Sequence, residues 1–394
     1  NYQLHIKSED DLKGLPDQVK EMAAEMAKSK NKEGWIFTLD YPSYVPFMTY
    51  AENRDLRKEL SLAFGRRSFQ DNDNNNTQII LRLIELRKQR AELLGYDSHA
   101  AFVLEERMAN SETIVNNFLE DLYQKAYPAA QKEWQEMVDF AAKNLGINDF
   151  EKWDSAYVSE KLKQAQLDLD EQAIKPYFPL EKVKAGVFEI AEKLFGLRFT
   201  KNDKIEGYHQ EVDVYEVYNK DDEFYALLYT DFFPRPGKRN GAWMTSFRGQ
   251  KKGQRPHISI VCNFSKPTAS TPALLSFQEV TTLFHEFGHA LHGMLANTNY
   301  AALSGTSVFW DFVELPSQIM ENWCYEKEAL ELFAKHHKTN AVIPMEYISK
   351  IKKAAHFQQG LQTLRQLGFG FLDLSYHGKE IEGIQDVKNH EKKI

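Results

Sequence analysis

The chain has 394 residues, 42% of them hydrophobic and 13% aromatic, with a formal net charge of −8. That is apolar material for a large core in two or three lobes, and no basic cluster is long enough to track a phosphate backbone, which excludes nucleic acid as a partner. No apolar run approaches transmembrane length, and two distant cysteines, Cys262 and Cys324, make neither a disulfide scaffold nor a Cys-type zinc site.

Residues 1–205 read as a helical lobe. Leu15–Ser29 is amphipathic, Trp35–Leu39 is a short extended insert, and Pro42–Pro46 is a turn. Tyr50–Phe64 and Thr77–Leu94 follow as helices, the second capped by Thr77 and stopped by Gly95. Ser111–Leu145 is a long helical region with a break near Pro128, closed by Gly146. Ser159–Leu169 and Leu180–Phe195 complete the lobe, the latter ended by Gly196. Their charged faces are solvated faces with no assigned chemistry.

Residues 206–335 read as a catalytic core built on a small sheet. Val212–Tyr218 alternates with period two and Phe224–Thr230 answers it across the turn Asn219–Asp222, which predicts a β-hairpin. Asp231–Gly253 reads as a loop rich in Gly, Pro, Lys and Arg. His257–Phe264 is a third strand. An edge strand of such a sheet can pair with an extended peptide, but which strand forms that edge is not legible in the pattern.

The next run, Thr282–His292, contains His-Glu-x-x-His at His285, Glu286 and His289. A chance occurrence in a chain of this composition has a probability of roughly 3%. Histidines four apart lie about 40° apart around a helix and one turn apart along it, so both imidazoles can reach one ion. Neutral imidazole suits zinc, and Glu286 is placed to act on a water at the metal. Apolar residues from Val280 to Leu295 cover most of the helix circumference, and polar groups buried there need partners, of which a metal is the most economical. The pattern therefore implies a zinc peptidase.

A catalytic zinc needs a third protein ligand. His292 shares a stripe with the other two histidines and cannot complete a tetrahedron with them. The spacing His-x-x-Gly-x-x-His fails, because His292 and Leu295 stand three and six past His289. A carboxylate of the predicted helix Asp311–Leu332 remains, with Asp311, Glu314 and Glu321 in range. Glu314 and Glu321 share a face, which suits a ligand backed by a supporting acid. Residues 336–394 begin a further helical region, with Met345–Phe371 as its long helix.

The combination His285–His289, Ser304-Gly305-Thr306, Asp311–Gln318 and Glu321-Asn322-Trp323 resembles the thimet oligopeptidase family. Gly237–Met244 is most similar to its bacterial peptidyl-dipeptidase branch. The resemblance extends through Leu93–Ala100, Trp153-Asp154 and Tyr177–Leu180. It implies a mainly α, zincin-like fold of two lobes around a channel, with a small sheet beside the zinc helix. It implies one zinc ion per chain on His285, His289 and Glu314, with Glu286 as general base and Glu321 behind the ligands. The loop at Gly305 and Thr306 and the strand beginning at His257 would border the substrate.

The implied substrates are short unfolded peptides, with dipeptides released from the carboxyl end or, alternatively, cleavage inside the peptide. The chain is expected to act as a monomer, without a membrane partner, in the cytoplasm, or in the periplasm if a signal segment has been removed. Family members are longer and carry a tyrosine-rich oxyanion-binding segment that has no counterpart after Gly378. The chain is thus expected to be a middle portion, binding zinc and peptide while turning over slowly.

Overall fold

The structure is a computed structural model that describes residues 2–168, 170–268, 270–379 and 383–394. Leu169, the expected end of one helix, lies outside the described residues, as do Asn1, Ala269 and 380–382. In chain order the first elements are β1 (Gln3–Ile6), α1 (Asp17–Ser29), β2 (Trp35–Thr38) and α2 (Tyr41–Tyr50). Helices α3 (Arg54–Gly65), α4 (Thr77–Leu93), α5 (His99–Leu104) and α6 (Glu112–Leu145) follow. Then come α7 (Ser155–Leu167), α8 (Glu171–Ile174) and α9 (Leu180–Phe195). The strands are β3 (Arg198–Lys201), β4 (Asp213–Tyr218), β5 (Phe224–Asp231), β6 (Trp243–Arg248) and β7 (His257–Val261). The chain continues through α10 (Phe277–Met294), α11 (Leu315–Glu321) and α12 (Lys327–Phe333). It ends with α13 (Met345–Ala354), α14 (Gln359–His377) and α15 (Val387–Glu391). The molecule is mainly helical with a small sheet, and among the described residues no helix is long and apolar enough to cross a membrane.

Local signals decided the elements that carry their own caps. Ser111 Oγ accepts from the Ile114 N–H at the start of α6, and Gly146 closes that helix in the left-handed region. Gly196 ends α9 in the same way. Other expectations are corrected. The segment 42–46 is helical in α2, because Pro42 sits in the first turn where its missing N–H is harmless. Pro46 inside that helix is tolerated as Phe47 and Met48 bury, Phe47 against the Phe37 ring of β2 at 4.7 Å. Pro128 does not interrupt α6. The cap of α4 is Asn76 rather than Thr77, without a side-chain bond. The expected helix 311–332 is broken into α11, a 3-10 turn at Asn322–Tyr325, and α12. Pro316 favours a first turn, so the helix starts there and not at Asp311. The stretch 345–371 is likewise two helices, α13 and α14.

The chain forms two compact units, each discontinuous in sequence. One comprises Asn53–Leu162 and Ala355–Ile394. Its core includes Met137 and Ala141 of α6 with Tyr157, Val158 and Leu162 of α7. Asp154, fully buried, receives Arg57 Nη2 at 3.0 Å and Arg54 Nη2 at 2.8 Å, while Arg57 stacks over the Tyr157 ring.

The other unit comprises Asn1–Glu52 and Lys163–Ala354 and contains both sheets. β1 pairs antiparallel with β2. The five-stranded sheet runs β3-β4-β5-β7-β6, with β5 and β7 parallel and the remaining pairs antiparallel. β4 and β5 form the expected hairpin. β6 lies within the segment expected to be loop, and it is an edge of the sheet. Its residues are half-buried or exposed, so no apolar run announces it. Helix α10 packs on β6 and β7 on one side and on α11 on the other, with Val280, Leu283, Phe284, Phe287 and Leu291 in the main core.

Candidate metal centre

Helix α10 opens with a reciprocal cap. Ser276 Oγ accepts from the Glu279 N–H at 3.2 Å, and Glu279 Oε2 accepts from the Ser276 N–H at 2.8 Å. From this fixed start the helical period turns His285 and His289 to one side, with ring centroids 4.9 Å apart. Gly288 lies on the face towards α11 and lets that helix approach. A Cβ there would stand 2.5 Å from the Pro316 carbonyl oxygen. The close crossing brings Glu314, just before α11, to both rings. His285 Nε2 and His289 Nε2 each lie 3.1 Å from Glu314 Oε2, and the three donor atoms fall within 4.8 Å of one another.

The supporting bonds fix the donor set. His285 Nδ1 lies 2.7 Å from Glu321 Oε1 on the last turn of α11, and Ser317 Oγ donates to Glu314 Oε2 at 2.8 Å. A ring that donates from Nδ1 carries its lone pair on Nε2, facing a carboxylate oxygen that also carries lone pairs. Such an arrangement is stable with a cation among the three atoms. Tetrahedral ligands about 2.1 Å from zinc stand about 3.4 Å apart, close to the spacings here. These residues fit a zinc ion.

Glu286 lines one cavity together with His285, His289 and Glu314. Its side chain is buried, and its Oε2 has no hydrogen-bond partner among the described residues. Burial pushes its carboxyl up to about 7. The His285 charge opposes this, Glu314 adds to it, and the backbone of Met244 opposes it. Burial lowers His289 from the usual histidine range. In His285 burial is outweighed by Glu321, Glu286 and Glu314, which raise it.

A cavity of about 500 Å³ joins these groups. It is lined by Ala242, Trp243 and Met244 at the start of β6, by His285, Glu286 and His289, and by Thr306, Trp310, Val313 and Glu314. Thr306 therefore reaches the site. Gly305 supports it from behind, at φ +57°, where an added Cβ would meet Gly293 Cα at 3.1 Å. His257 is not brought there. The register sets it opposite Arg248, at the far end of β6 from Trp243 and Met244. His292 stands outside the donor cluster, its Nδ1 buried without a partner among the described residues. Sequence reasoning missed Ser317, Gly288, Trp243 and Trp310. Ser317 three residues after Glu314 was the one legible signal, since such pairs share a helix face.

A profile of Peptidase family M3 matches residues 47–393. Over 384 residues the chain is 38% identical to Oligopeptidase A of Salmonella typhimurium, covering 95% of this chain and 56% of that protein. It is 37% identical over 385 residues to Dipeptidyl carboxypeptidase of Escherichia coli, covering 96% of this chain and 56% of the relative. Saccharolysin of Saccharomyces cerevisiae is 35% identical over 391 residues, 94% of this chain and 54% of its own length. The chain thus spans little more than half the length of these relatives.

Proposed function

We propose, because this chain belongs to peptidase family M3, that it hydrolyses short unfolded peptides and releases dipeptides from their carboxyl ends. What supports the reading above all is one carboxylate oxygen, Glu314 Oε2, at 3.1 Å from two histidine Nε2 atoms beside a buried glutamate. Zinc would be held by His285, His289 and Glu314, and when bound it supplies a Lewis acid that acidifies water and polarises a carbonyl. Glu321 keeps the His285 lone pair on Nε2, and Ser317 keeps the Glu314 carboxylate turned to the rings.

The remaining work falls to the chain's own groups. Glu286, with its carboxyl near 7, takes a proton from the attacking water and returns it to the departing amine. Beside Glu286 the edge strand β6 has a neighbouring strand on one side only, and its other side can hold an extended peptide by main-chain hydrogen bonds. Thr306 and Trp310 line the same cavity.

The second reading is cleavage inside the peptide, favoured by the 38% identity to Oligopeptidase A. One short peptide prepared with a free and with a blocked carboxyl end separates the two. Dipeptide release from the free-ended form alone supports the first reading, and internal cleavage of both forms supports the second. A zinc-loaded chain that cleaves neither form speaks against both and supports a zinc- and peptide-binding chain with little activity of its own.

A further inference from the structure

A second cavity, of about 360 Å³, opens where the metal site ends. The two share Ala242, and the second also takes in Thr282, one turn before Glu286 on α10. Its walls are apolar, with Val19, Pro42, Val45, Pro46 and Phe264 among them. At its polar end stands Lys175. That ammonium carries three donors, yet among the described residues it makes one hydrogen bond, to Gln18 Oε1 at 2.9 Å, and no ion pair within 4.0 Å. Gln18 Nε2 beside it is buried and has no partner among the described residues. The two acids of the same wall are already engaged. Glu279 accepts from the N–H groups of Ser265 and Ser276, and Glu171 accepts from Lys163. Burial pushes the Lys175 ammonium below the usual lysine range, against the pull of Glu279 and Glu171. An amide N–H and an ammonium left short of acceptors at the end of an apolar cavity call for a ligand with acceptor oxygens.

We infer that this cavity receives the carboxyl-terminal residues of a peptide substrate, with the terminal carboxylate bound by Lys175 and the amide of Gln18. The inference rests on the peptidase reading above and deepens it. Two lengths agree. Glu279, which shares the wall with Lys175, stands two turns before Glu286, about 10 Å along the helix axis. Two extended residues span about 7 Å, and a hydrogen bond adds about 3 Å. The direction agrees as well. A peptide pairing antiparallel with β6, the more stable mode per residue, has its carboxyl end at the amino end of the strand. Gly241 and Ala242 lie there, and both line the second cavity. The apolar wall would then contact the side chains of the last two residues, favouring large apolar ones.

The test is a binding measurement that needs no catalysis. Acetyl-Ala-Ala-Ala-Phe is titrated into the metal-free protein by calorimetry as the free acid and as the carboxyl amide, so that no metal competes for the carboxylate. The acid is expected to bind at least about tenfold more tightly than the amide, as a charge-assisted pair in a half-buried site warrants. Lys175→Met should bring the two forms within twofold of each other, with the amide's own affinity kept. Gln18→Leu, should the first variant not fold, is expected to narrow the gap at least threefold. An amidated peptide with an internal glutamate should bind like the plain amide; binding like the acid would make the site one for acidic side chains and overturn the assignment. Equal affinities of acid and amide for the wild-type chain, or a gap untouched by Lys175→Met, would overturn it too. If the gap is found while the zinc-loaded chain hydrolyses nothing, the subsite stands and the peptidase reading falls.

Discussion

Replacing Gly288 by alanine sets two effects of opposite sign against each other. In a helix interior alanine is favoured over glycine by about 1 kcal/mol, through backbone entropy and propensity. At this position the added Cβ would lie 2.5 Å from the Pro316 oxygen and 2.6 Å from Ser317 Cα, where ordinary contact begins at 3.4 Å. Both neighbours are backbone, so no side chain can swing aside. Helix α11 must retreat by about 1 Å, and overpacking of this kind costs about 1–3 kcal/mol. The clash is expected to win. Glu314 precedes Pro316 by two residues and moves with it, opening contacts that are now 3.1 Å. Glu321 on the same helix loosens its hold on His285. Zinc affinity should then fall by about 10- to 100-fold, as for loss of a ligand's supporting partner. Competition with a chromophoric chelator measures the affinity, and a thermal melt of the metal-free protein measures the packing. A Gly288→Ala protein with wild-type zinc affinity and a raised melting temperature would refute the packing argument.

Glu286→Gln should keep zinc at one ion per chain while hydrolysis falls by about 100-fold or more; metal analysis with a peptide assay checks both, and retained activity would remove the general base from the scheme. Glu314→Ala should leave the chain without zinc after dialysis, and an unchanged metal content would move the third ligand elsewhere. Glu321→Ala should weaken zinc binding by about 10- to 100-fold without abolishing it. Asp154 governs a pH dependence in its own unit. Burial would raise its carboxyl, but hydrogen bonds from Arg54, Arg57 and the Glu151 backbone outweigh burial and hold it below the usual range. A lowered folded pKa gives stability that is present above the unfolded value near 4 and is lost as pH falls through the folded one. Asp154→Asn should therefore flatten the acid limb of the stability profile. At neutral pH, by taking the carboxylate from buried Arg57, it should cost about 3–5 kcal/mol. Urea titrations followed by circular dichroism report the loss, and a change below about 1 kcal/mol would contradict it.

The chemistry of α10 was legible in the residue order because it depends on one helix. The i, i+4 spacing puts His285 and His289 on one side whatever lies around them, and the Ser111 and Gly196 signals act within a turn of their own helices. The third ligand was narrowed to a few acids by range, and Glu314 was singled out by resemblance. Its approach to the rings depends on Gly288 meeting Pro316, a contact between helices. The residues of β6 read as loop because an edge strand needs neither a continuous apolar run nor two partners; its pairing with β7 alone defines it. β1 alternates over only four residues, Gln3 to Ile6, too short a run to announce a strand, and it is completed by pairing with β2, more than twenty residues away. Helix α2, with Pro46 against it locally, is held by the burial of Phe47 and Met48. Each of the two units joins segments distant in the chain, and no linker composition marks such a division. Backbone hydrogen bonds of a helix close within four residues, so the sequence alone determined the metal helix and its capped neighbours. Strand partners, helix crossings and shared cavities are settled between residues far apart, so only the tertiary structure decided which edge strand faces Glu286, how Glu314 meets two imidazoles, and where Lys175 is left short of an acceptor.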